Sequence, residues 1–291
     1  MLGLGLAWAH CFRGFRCMRR GQYAAALVHL NKAQRSYPRL PAPFFCNRAL
    51  AHQATGDHAS AIQDCDRAIE LDPNLAMAFH NRGVSAKVLG DFDRAIADHS
   101  LTIALLPGFA WAHAELGVAY TCKHEHDRAI DSLTRAIALE PGNAGCWRER
   151  GFARFFRGDF EDAAADLRQS LGSEHDPYAM LTCYLARARR GAEATGELEA
   201  DAYALGNERW PFPAIDLFLG SLTPDATLAA APNDYARGEA HFYVGEWHLL
   251  RHNHAEARQA LEQATRTCPP NFHEYVGAIA EIRRFGARAG P

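Results

Sequence analysis

The sequence lacks the short motifs that mark common catalytic and nucleotide-binding sites. Its 291 residues contain no G-x-S-x-G nucleophile turn, no Walker phosphate loop and no H-E-x-x-H metalloprotease motif. The eight cysteines include no C-x-x-C pair, the spacing that zinc ribbons and thioredoxin-like redox motifs require. We therefore predict a protein that is not an enzyme, with no catalytic residue, no metal site and no cofactor.

The sequence also has little net charge and no long apolar run. Its formal charge is -3, its pI is near 6.6, and only three of its 31 basic residues are lysines. This balance argues against attraction to nucleic acid or to an anionic membrane through bulk charge. No segment approaches the roughly 18 to 20 apolar residues of a membrane span. We predict no nucleic-acid partner and no membrane span.

The N-terminal stretch MLGLGLAWAHCF looks superficially like a lipoprotein leader that ends at Cys11. However, no basic residue precedes the apolar stretch, and His10 stands where a small residue should precede the cysteine. Most cysteines fall at helical positions that face neighbouring helices, which indicates buried thiols in a reducing compartment. We predict a cytoplasmic protein; a periplasmic location is the alternative if the true start carries a lipoprotein leader.

What the sequence does contain is a repeat. The prolines that close four successive copies, Pro38, Pro73, Pro107 and Pro141, are separated by 35, 34 and 34 residues. Positions within a copy are numbered here from 1, which falls at Ala7, Ala42, Ala76, Ala110 and Ala144. Position 8 is glycine or alanine in all five copies, and position 20 is always alanine.

Each copy is expected to form two helices. Apolar residues fall three and four apart on both sides of a central step, which reads Gly-Asp at Gly56, Gly90 and Gly158. The glycine accepts the left-handed conformation that closes the first helix, and the aspartate caps the second. Small residues at positions 8 and 20 let the two helices approach closely. Each pair must then stack on the next pair to cover its open apolar face.

Over residues 7–177 these landmarks resemble those of the tetratricopeptide repeat family. The resemblance implies an all-α fold, a right-handed α-solenoid of five helix-turn-helix repeats without strands. It also implies that the first helices of the repeats line a concave face. The sequence departs from the family at position 24, which is usually aromatic but here is Leu30, Cys65, His99, Leu133 and Leu167.

After Gly172 the repeat decays. We predict a degenerate helical segment over residues 178–237, then a last repeat and a capping helix over residues 238–286, within one continuous solenoid. This half resembles the C-terminal part of the bacterial lipoprotein NlpI and similar tetratricopeptide proteins. The resemblance implies an adaptor for hydrolases and proteases of the cell envelope, with a homodimer as one state. The residues that carry it are Asp176-Pro177-Tyr178, Tyr184-Leu185-Ala186, Trp210, Leu217-Phe218-Leu219-Gly220, Phe242-Tyr243, Gly245, Asn271-Phe272 and Glu274.

Positions 7 and 23 vary together. Where position 7 is Leu116, position 23 is Ser132, and neither residue is charged. In three other copies an arginine and an aspartate occupy the two positions: Arg48 with Asp64, Arg82 with Asp98, and Arg150 with Asp166. We predict that each of these arginines pairs with the aspartate of its own copy.

Two H-x-H pairs, His124 with His126 and His252 with His254, could begin a zinc site. Both pairs fall at positions 15 and 17, where the turn normally holds glycine and an aromatic residue. We interpret them as turn residues. The stretch FRGFRCMRR is interpreted as a terminal helix with one solvated basic face, in preference to a nucleic-acid site.

The candidate site residues come from positions that face the concave surface: Phe15, Asn47, His80, Asn81, Trp111, Arg148 and Phe152. Asn47 and Asn81 lie one repeat apart, so their amides could bind the backbone of an extended ligand; alternatively, they only solvate this face. We predict an interaction scaffold or adaptor that binds a peptide or helical segment of a protein partner in this groove. The alternative is a structural accessory subunit or domain of a catalytic assembly.

Overall fold

A computed structural model of the chain describes residues 2–206 and 209–288. Over these residues the structure has 17 α-helices and no strand, which confirms the predicted all-α fold of helix pairs. The chain divides into two compact units, Met1–Glu115 and Leu116–Pro291. The boundary falls inside one helix, Ala110–Cys122.

The first unit is built from pairs of helices whose ends follow the repeat. Helices α3 and α5 begin at position 1 of their copies, and α2, α4 and α6 begin at position 17. The period fixes these ends because the same turn residues and the same closing proline recur in each copy. The helices are α1 (Leu2–Met18), α2 (Tyr23–Ser36), α3 (Ala42–Ala54), α4 (His58–Leu71), α5 (Ala76–Val88), α6 (Phe92–Leu105) and the start of α7 (Ala110–Cys122).

The second unit continues the repeat and then departs from it. It contains the end of α7, then α8 (His126–Leu139), α9 (Ala144–Arg157), α10 (Phe160–Leu171), α11 (Pro177–Ala188), α12 (Thr195–Leu205), α13 (Phe212–Leu219), α14 (Pro224–Ala229), α15 (Asp234–Leu250), α16 (His254–Thr267) and α17 (His273–Arg288). The segment predicted to be degenerate holds α11 and the shorter helices α12 to α14. The final pair, α15 and α16, packs against α17, and α17 also contacts α9.

Left-handed backbone closes the first helix of most copies. The φ angle is +80° at Gly56, +83° at Gly90 and +104° at Gly158. In two copies a histidine takes the same place, since His124 and His252 both have φ +61°. This conformation costs a residue with a Cβ atom about 1 kcal/mol. The two histidines therefore occupy the predicted turn position.

The aspartates after these turns cap the following helices in two of three cases. Asp57 Oδ1 accepts a hydrogen bond from the Ser60 amide at 3.0 Å, and Asp91 Oδ1 accepts one from the Arg94 amide at 3.1 Å. The cap predicted for Asp159 is wrong, because its side chain accepts no bond from the helix amides. The Arg157 guanidinium binds Asp159 Oδ2 instead.

Position 8 is small because the side chain at position 24 lies directly on it. A Cβ atom added to Gly83 would lie 2.8 Å from His99 Cε1. The four glycines at this position in other copies would place a Cβ 2.5 to 2.8 Å from a leucine at position 24. In the second copy position 8 is Ala49, and position 24 is the smaller Cys65. The unusual residues at position 24 thus match their neighbours in size.

The predicted arginine–aspartate pairs are confirmed. Each aspartate accepts two bonds from one guanidinium, the bidentate geometry that makes such pairs strong. The side chains of all three pairs are mostly buried. The Nε and Nη2 distances to the carboxylate are 2.7 and 2.6 Å for Arg48 with Asp64, 2.9 and 2.6 Å for Arg82 with Asp98, and 2.7 and 2.8 Å for Arg150 with Asp166.

The third guanidinium nitrogen of each arginine reaches the preceding copy. It donates to the side chain at position 25, which differs in type from copy to copy. The bonds are from Arg48 Nη1 to Asn31 Oδ1 at 3.0 Å, from Arg82 Nη1 to Asp66 Oδ1 at 2.7 Å, and from Arg150 Nη1 to Thr134 Oγ1 at 3.0 Å. Each arginine therefore fixes the stacking of two copies as well as the two helices of its own.

A second ionic group lies inside the second unit and holds α17. Arg189 donates to Glu246 Oε2 and to Glu281 Oε2, both at 2.9 Å. Arg284 binds Glu281 and donates to the carbonyl oxygen of Phe155 at 3.0 Å. Burial raises the pKa of Glu246 to about 7, despite the neighbouring arginines. This group connects α11, α15 and α17 to α9.

Candidate functional site

The first unit has an apolar cavity of about 160 Å³ that two of the predicted site residues line, Phe15 and Asn47. Trp8, Leu40 and Phe44 complete most of its wall. The Asn47 amide Nδ2 donates to the Pro43 carbonyl of its own helix at 2.8 Å. One of the two N–H donors of this amide is therefore already used within the chain.

Asn81 and His80 lie deeper than the sequence suggested. Asn81 is 2% exposed, its Nδ2 lies 3.3 Å from Cys46 Sγ, and its backbone oxygen accepts a bond from Gln53 Nε2 at 2.6 Å. The His80 ring is 5.1 Å from the Phe109 ring between centroids, and burial lowers the pKa of His80. The structure thus does not present Asn47 and Asn81 as an equivalent pair of free amides.

Trp111 is the most accessible of the predicted site residues, with 54% of its surface exposed. Trp8 and Phe12 of α1 are also more than half exposed. Lone exposed apolar side chains are common, but large exposed aromatics are characteristic of residues that bind other proteins. Trp8 also lines the apolar cavity. We take these three side chains and the cavity as the candidate binding features of the first unit.

The second unit has a larger cavity, of about 270 Å³, which includes the predicted residues Arg148 and Phe152. It lies among α9, α11, α15 and α17. The rings of Phe156, Phe242 and Phe272 also line it. The structure therefore places two predicted site residues in each cavity, Phe15 with Asn47 and Arg148 with Phe152.

Phe152 is covered by the C-terminal helix of the chain itself. Its ring centroid lies 4.3 Å from that of His273, the first residue of α17. His273 Nε2 in turn lies 2.9 Å from Glu149 Oε2 on α9. Sequence reasoning missed this contact because α17 follows the last repeat and has no position in the period.

Arg148 lies at the edge of this cavity and is held by carboxylates. Its Nη1 is 3.2 Å from both Glu174 Oε2 and Asp176 Oδ2. The Asp176 side chain also caps α11, since its Oδ1 accepts a bond from the Tyr178 amide at 2.8 Å. The guanidinium of Arg148 is therefore largely neutralised by its neighbours.

Two buried glutamates, Glu239 and Glu274, are among the polar residues that line the cavity. Glu239 Oε2 accepts a bond from Tyr178 Oη at 3.0 Å and another from Trp210 Nε1 at 2.5 Å. Glu274 Oε1 accepts a bond from Tyr243 Oη at 2.9 Å. Burial raises the pKa of both carboxyls, and burial with the nearby charge of Glu239 raises that of Glu274 to about 8.

Neither glutamate was predicted as a site residue. Glu239 is at position 2 of the last copy, and Glu274 lies outside the repeat. One signal was present, however. Seven of the residues that carry the resemblance of the second half to NlpI line this cavity: Asp176, Tyr178, Phe242, Tyr243, Asn271, Phe272 and Glu274.

Within residues 2–206 and 209–288, no group of three or more histidines, cysteines or carboxylates is placed to hold a metal ion. The rings of His124 and His126 lie 6.1 Å apart, and those of His252 and His254 lie 6.3 Å apart. Among the described helices, none combines the length and the apolar composition needed to cross a membrane.

Residues 42–75, the second copy of the repeat, match the family model of the tetratricopeptide repeat. No curated protein matches the chain. Together with the helix pairs, the match supports a protein built from tetratricopeptide repeats.

Several solved structures have the same fold. One is a tetratricopeptide repeat protein from Parabacteroides merdae. The aligned region covers 94% of this chain and 99% of that protein, with 12% identity and a TM-score of 0.60. PilW, a type IV pilus biogenesis factor, covers 67% of this chain and 92% of its own, with 17% identity and a TM-score of 0.60. MamA from Desulfovibrio magneticus covers 57% of this chain and 93% of its own, with 23% identity and a TM-score of 0.53. At these identities the similarity establishes the fold alone.

Proposed function

We propose that this protein is a non-catalytic scaffold that binds a peptide or helical segment of another protein. The observations that carry the proposal are in the first unit, where Trp8, Phe12 and Trp111 are more than half exposed and Trp8 lines the apolar cavity. Tryptophan is enriched among the few residues that dominate the binding energy of protein interfaces. The repeat fold supports the proposal because stacked helix pairs build extended binding surfaces.

The test is affinity capture of partners from native lysate, followed by titration of the identified partner with variants. Trp111→Ala should weaken binding by about 2 kcal/mol, roughly thirtyfold, if this side chain anchors the partner. Tyr203→Ala is the matched control, because Tyr203 is an aromatic residue that is 89% exposed in the second unit. Equal affinity of both variants for the partner would refute the role of this surface.

The same titration separates the scaffold from the alternative, a structural accessory subunit of a catalytic assembly. A catalytic partner that copurifies in fixed proportion, and whose binding Trp111→Ala and Phe15→Ala leave unchanged, would favour the accessory subunit. A partner displaced by a peptide of its own sequence would favour the scaffold.

We further propose that the partner is a hydrolase or protease of the bacterial cell envelope and that the protein forms a homodimer. Both proposals rest on the resemblance of the second half to NlpI. A cytoplasmic location is proposed because most of the cysteines are buried thiols, with the periplasm as the alternative. Cell fractionation of the native protein tests the location, and light scattering of the purified chain tests the dimer.

A further inference from the structure

The cavity of the second unit has the size and walls of a pocket for one long side chain. Its volume of about 270 Å³ is below the roughly 300 to 1,000 Å³ of pockets for drug-sized ligands. The rings of Phe152, Phe156 and Phe242 supply aromatic faces, and most of its charged groups are carboxyls. Aromatic faces and carboxylates both attract cations, and a guanidinium suits them because it is planar and weakly hydrated.

Two of the four carboxyls that line the cavity lack a cationic partner. Asp176 and Glu149 already contact an arginine and a histidine of the chain. In the described part of the chain, Glu239 and Glu274 form no salt bridge with arginine, lysine or histidine. Their hydrogen bonds come from neutral donors. A buried carboxyl either carries a proton or is paired with a cation, and no cation of the described chain pairs with these two.

Glu239 is held in a position to receive that cation. It is 7% exposed, and the two hydrogen bonds from Tyr178 and Trp210 both go to Oε2. Among residues 2–206 and 209–288, no protein donor contacts Oε1, and the residue lines the cavity. The carboxylate is therefore fixed in orientation by one oxygen while the other remains free to accept a bond.

The electrostatics of Glu274 agree with an incomplete site. Burial first, and then the charges of Glu239 and Asp176, raise the pKa of Glu274. The titratable groups that line the cavity are Arg148 and Glu149 on α9, Asp176 and Tyr178 before and on α11, Glu239 and Tyr243 on α15, and His273 and Glu274 on α17. A cation bound between the glutamates would relieve their mutual repulsion.

We propose that this cavity binds the guanidinium group of an arginine side chain from a protein partner, with Glu239 Oε1 accepting its hydrogen bonds. The inference rests on the proposed scaffold function, because the ligand is part of another polypeptide. To the scaffold function, this inference adds the type of partner residue that the protein recognises. Lysine should bind less well, since its ammonium is more strongly hydrated and cannot stack flat on an aromatic ring.

Two peptides that differ only in charge test the proposal on the full chain. One is acetyl-Ala-Arg-Ala-amide, and the other carries citrulline, the neutral isostere of arginine. Binding is followed by the indole N–H signal of Trp210 in NMR spectra, because this group donates to Glu239. The Trp210→Phe variant assigns the signal among the five tryptophans.

We expect the arginine peptide to shift the Trp210 signal and to bind at least about tenfold more tightly than the citrulline peptide, as a charge-assisted bond implies. Glu239→Gln should remove this difference. Glu161→Gln, which changes an exposed carboxylate on α10, should keep it. Circular dichroism checks that both variants fold, and Glu274→Gln provides the same test if Glu239→Gln does not fold.

Equal binding of the two peptides, or binding of neither, would overturn the inference. The failure would be separable from that of the scaffold function, which Trp111→Ala tests in the other unit. If Trp111→Ala weakens the captured partner while the arginine peptide fails to bind, the scaffold function stands and only this site is rejected.

Discussion

Replacing His99 by leucine should stabilise the first unit, and more strongly in acid. His99 is at position 24 of the third copy, where several other copies have leucine. Its ring is 0% exposed, and neither ring nitrogen has a hydrogen-bond partner among the described residues. Burial lowers the pKa of His99 to about 3. Leucine should fit, because it packs on the glycine at position 8 in four other copies.

The size of the stability loss that His99 causes in acid follows from the difference in proton binding between the unfolded and the folded states. A histidine in the unfolded chain has a pKa of about 6.5. Between this value and the folded value, the unfolded state binds more protons, so stability falls as the pH is lowered. At pH 5 the loss is about 2 kcal/mol, from 1.5 pH units at about 1.36 kcal/mol each. At pH 7.5 only the cost of two unpartnered nitrogens remains, about 1 to 3 kcal/mol.

The assay is hydrogen exchange of α6 amides in the wild type and His99→Leu at pH 7.5 and pH 5.0, corrected for intrinsic rates. Exchange reports the opening of this segment even if the two units unfold separately. The gain from leucine should be about 2 kcal/mol larger at pH 5.0. The contributions of the other histidines to the pH dependence cancel in this comparison, because both proteins contain them. A gain that is the same at both pH values would refute the reasoning, because His99 would then not be held neutral by burial.

Four further substitutions test the packing. Arg82→Leu and Asp98→Ser should each cost about 3 to 5 kcal/mol in urea unfolding, because the pair is mostly buried, and additive effects in the double variant would show that the two residues do not interact. His252→Gly should raise stability by about 0.5 to 1 kcal/mol by removing left-handed strain; a lower melting temperature would contradict this. Arg189→Met should cost about 3 to 5 kcal/mol by leaving Glu246 unpaired, and faster hydrogen exchange in α17 would report it.

The helix pairs were predictable because their signals are local. Each copy has its own turn, its own closing residues and its own small residue at position 8, so each of the five copies independently predicts the same helix pair. The arginine–aspartate pairs were predictable for a different reason. Position 7 and position 23 change together, from Arg82 with Asp98 to Leu116 with Ser132, and this correlation is visible without coordinates.

The contacts at position 25 could not be predicted in the same way. Asn31, Asp66 and Thr134 all accept a bond from the arginine of the next copy, but they share neither charge nor size. An acceptor oxygen is all that the guanidinium requires, and several residue types supply one. A chemical requirement that several residues meet leaves no pattern in a single sequence.

The candidate groove was only partly predictable. The rule that assigns repeat positions to the concave face assumes that nothing else in the chain covers that face. Asn81 belongs to such a position but is buried against the neighbouring copy. Phe152 belongs to one as well, but the start of α17 covers it. The repeat period defines which helix face is concave. It carries no information about a helix that follows the last repeat and packs back on that face.

The two kinds of residue in this chain therefore have different consequences when they change. Periodic residues such as Gly83 and Arg82 hold one helix pair to itself or to the next, so their substitution should act on stability. The polar wall of the cavity in the second unit includes Tyr178, Glu239 and Glu274, whose residue types do not recur from copy to copy. Their side chains meet because α11, α15 and α17 pack together, and the hydrogen bonds to the two glutamates come from tyrosine and tryptophan, which are neutral donors. Substitution of these glutamates should therefore act on ligand binding, because the guanidinium proposed to bind in the cavity would supply the cation that they lack.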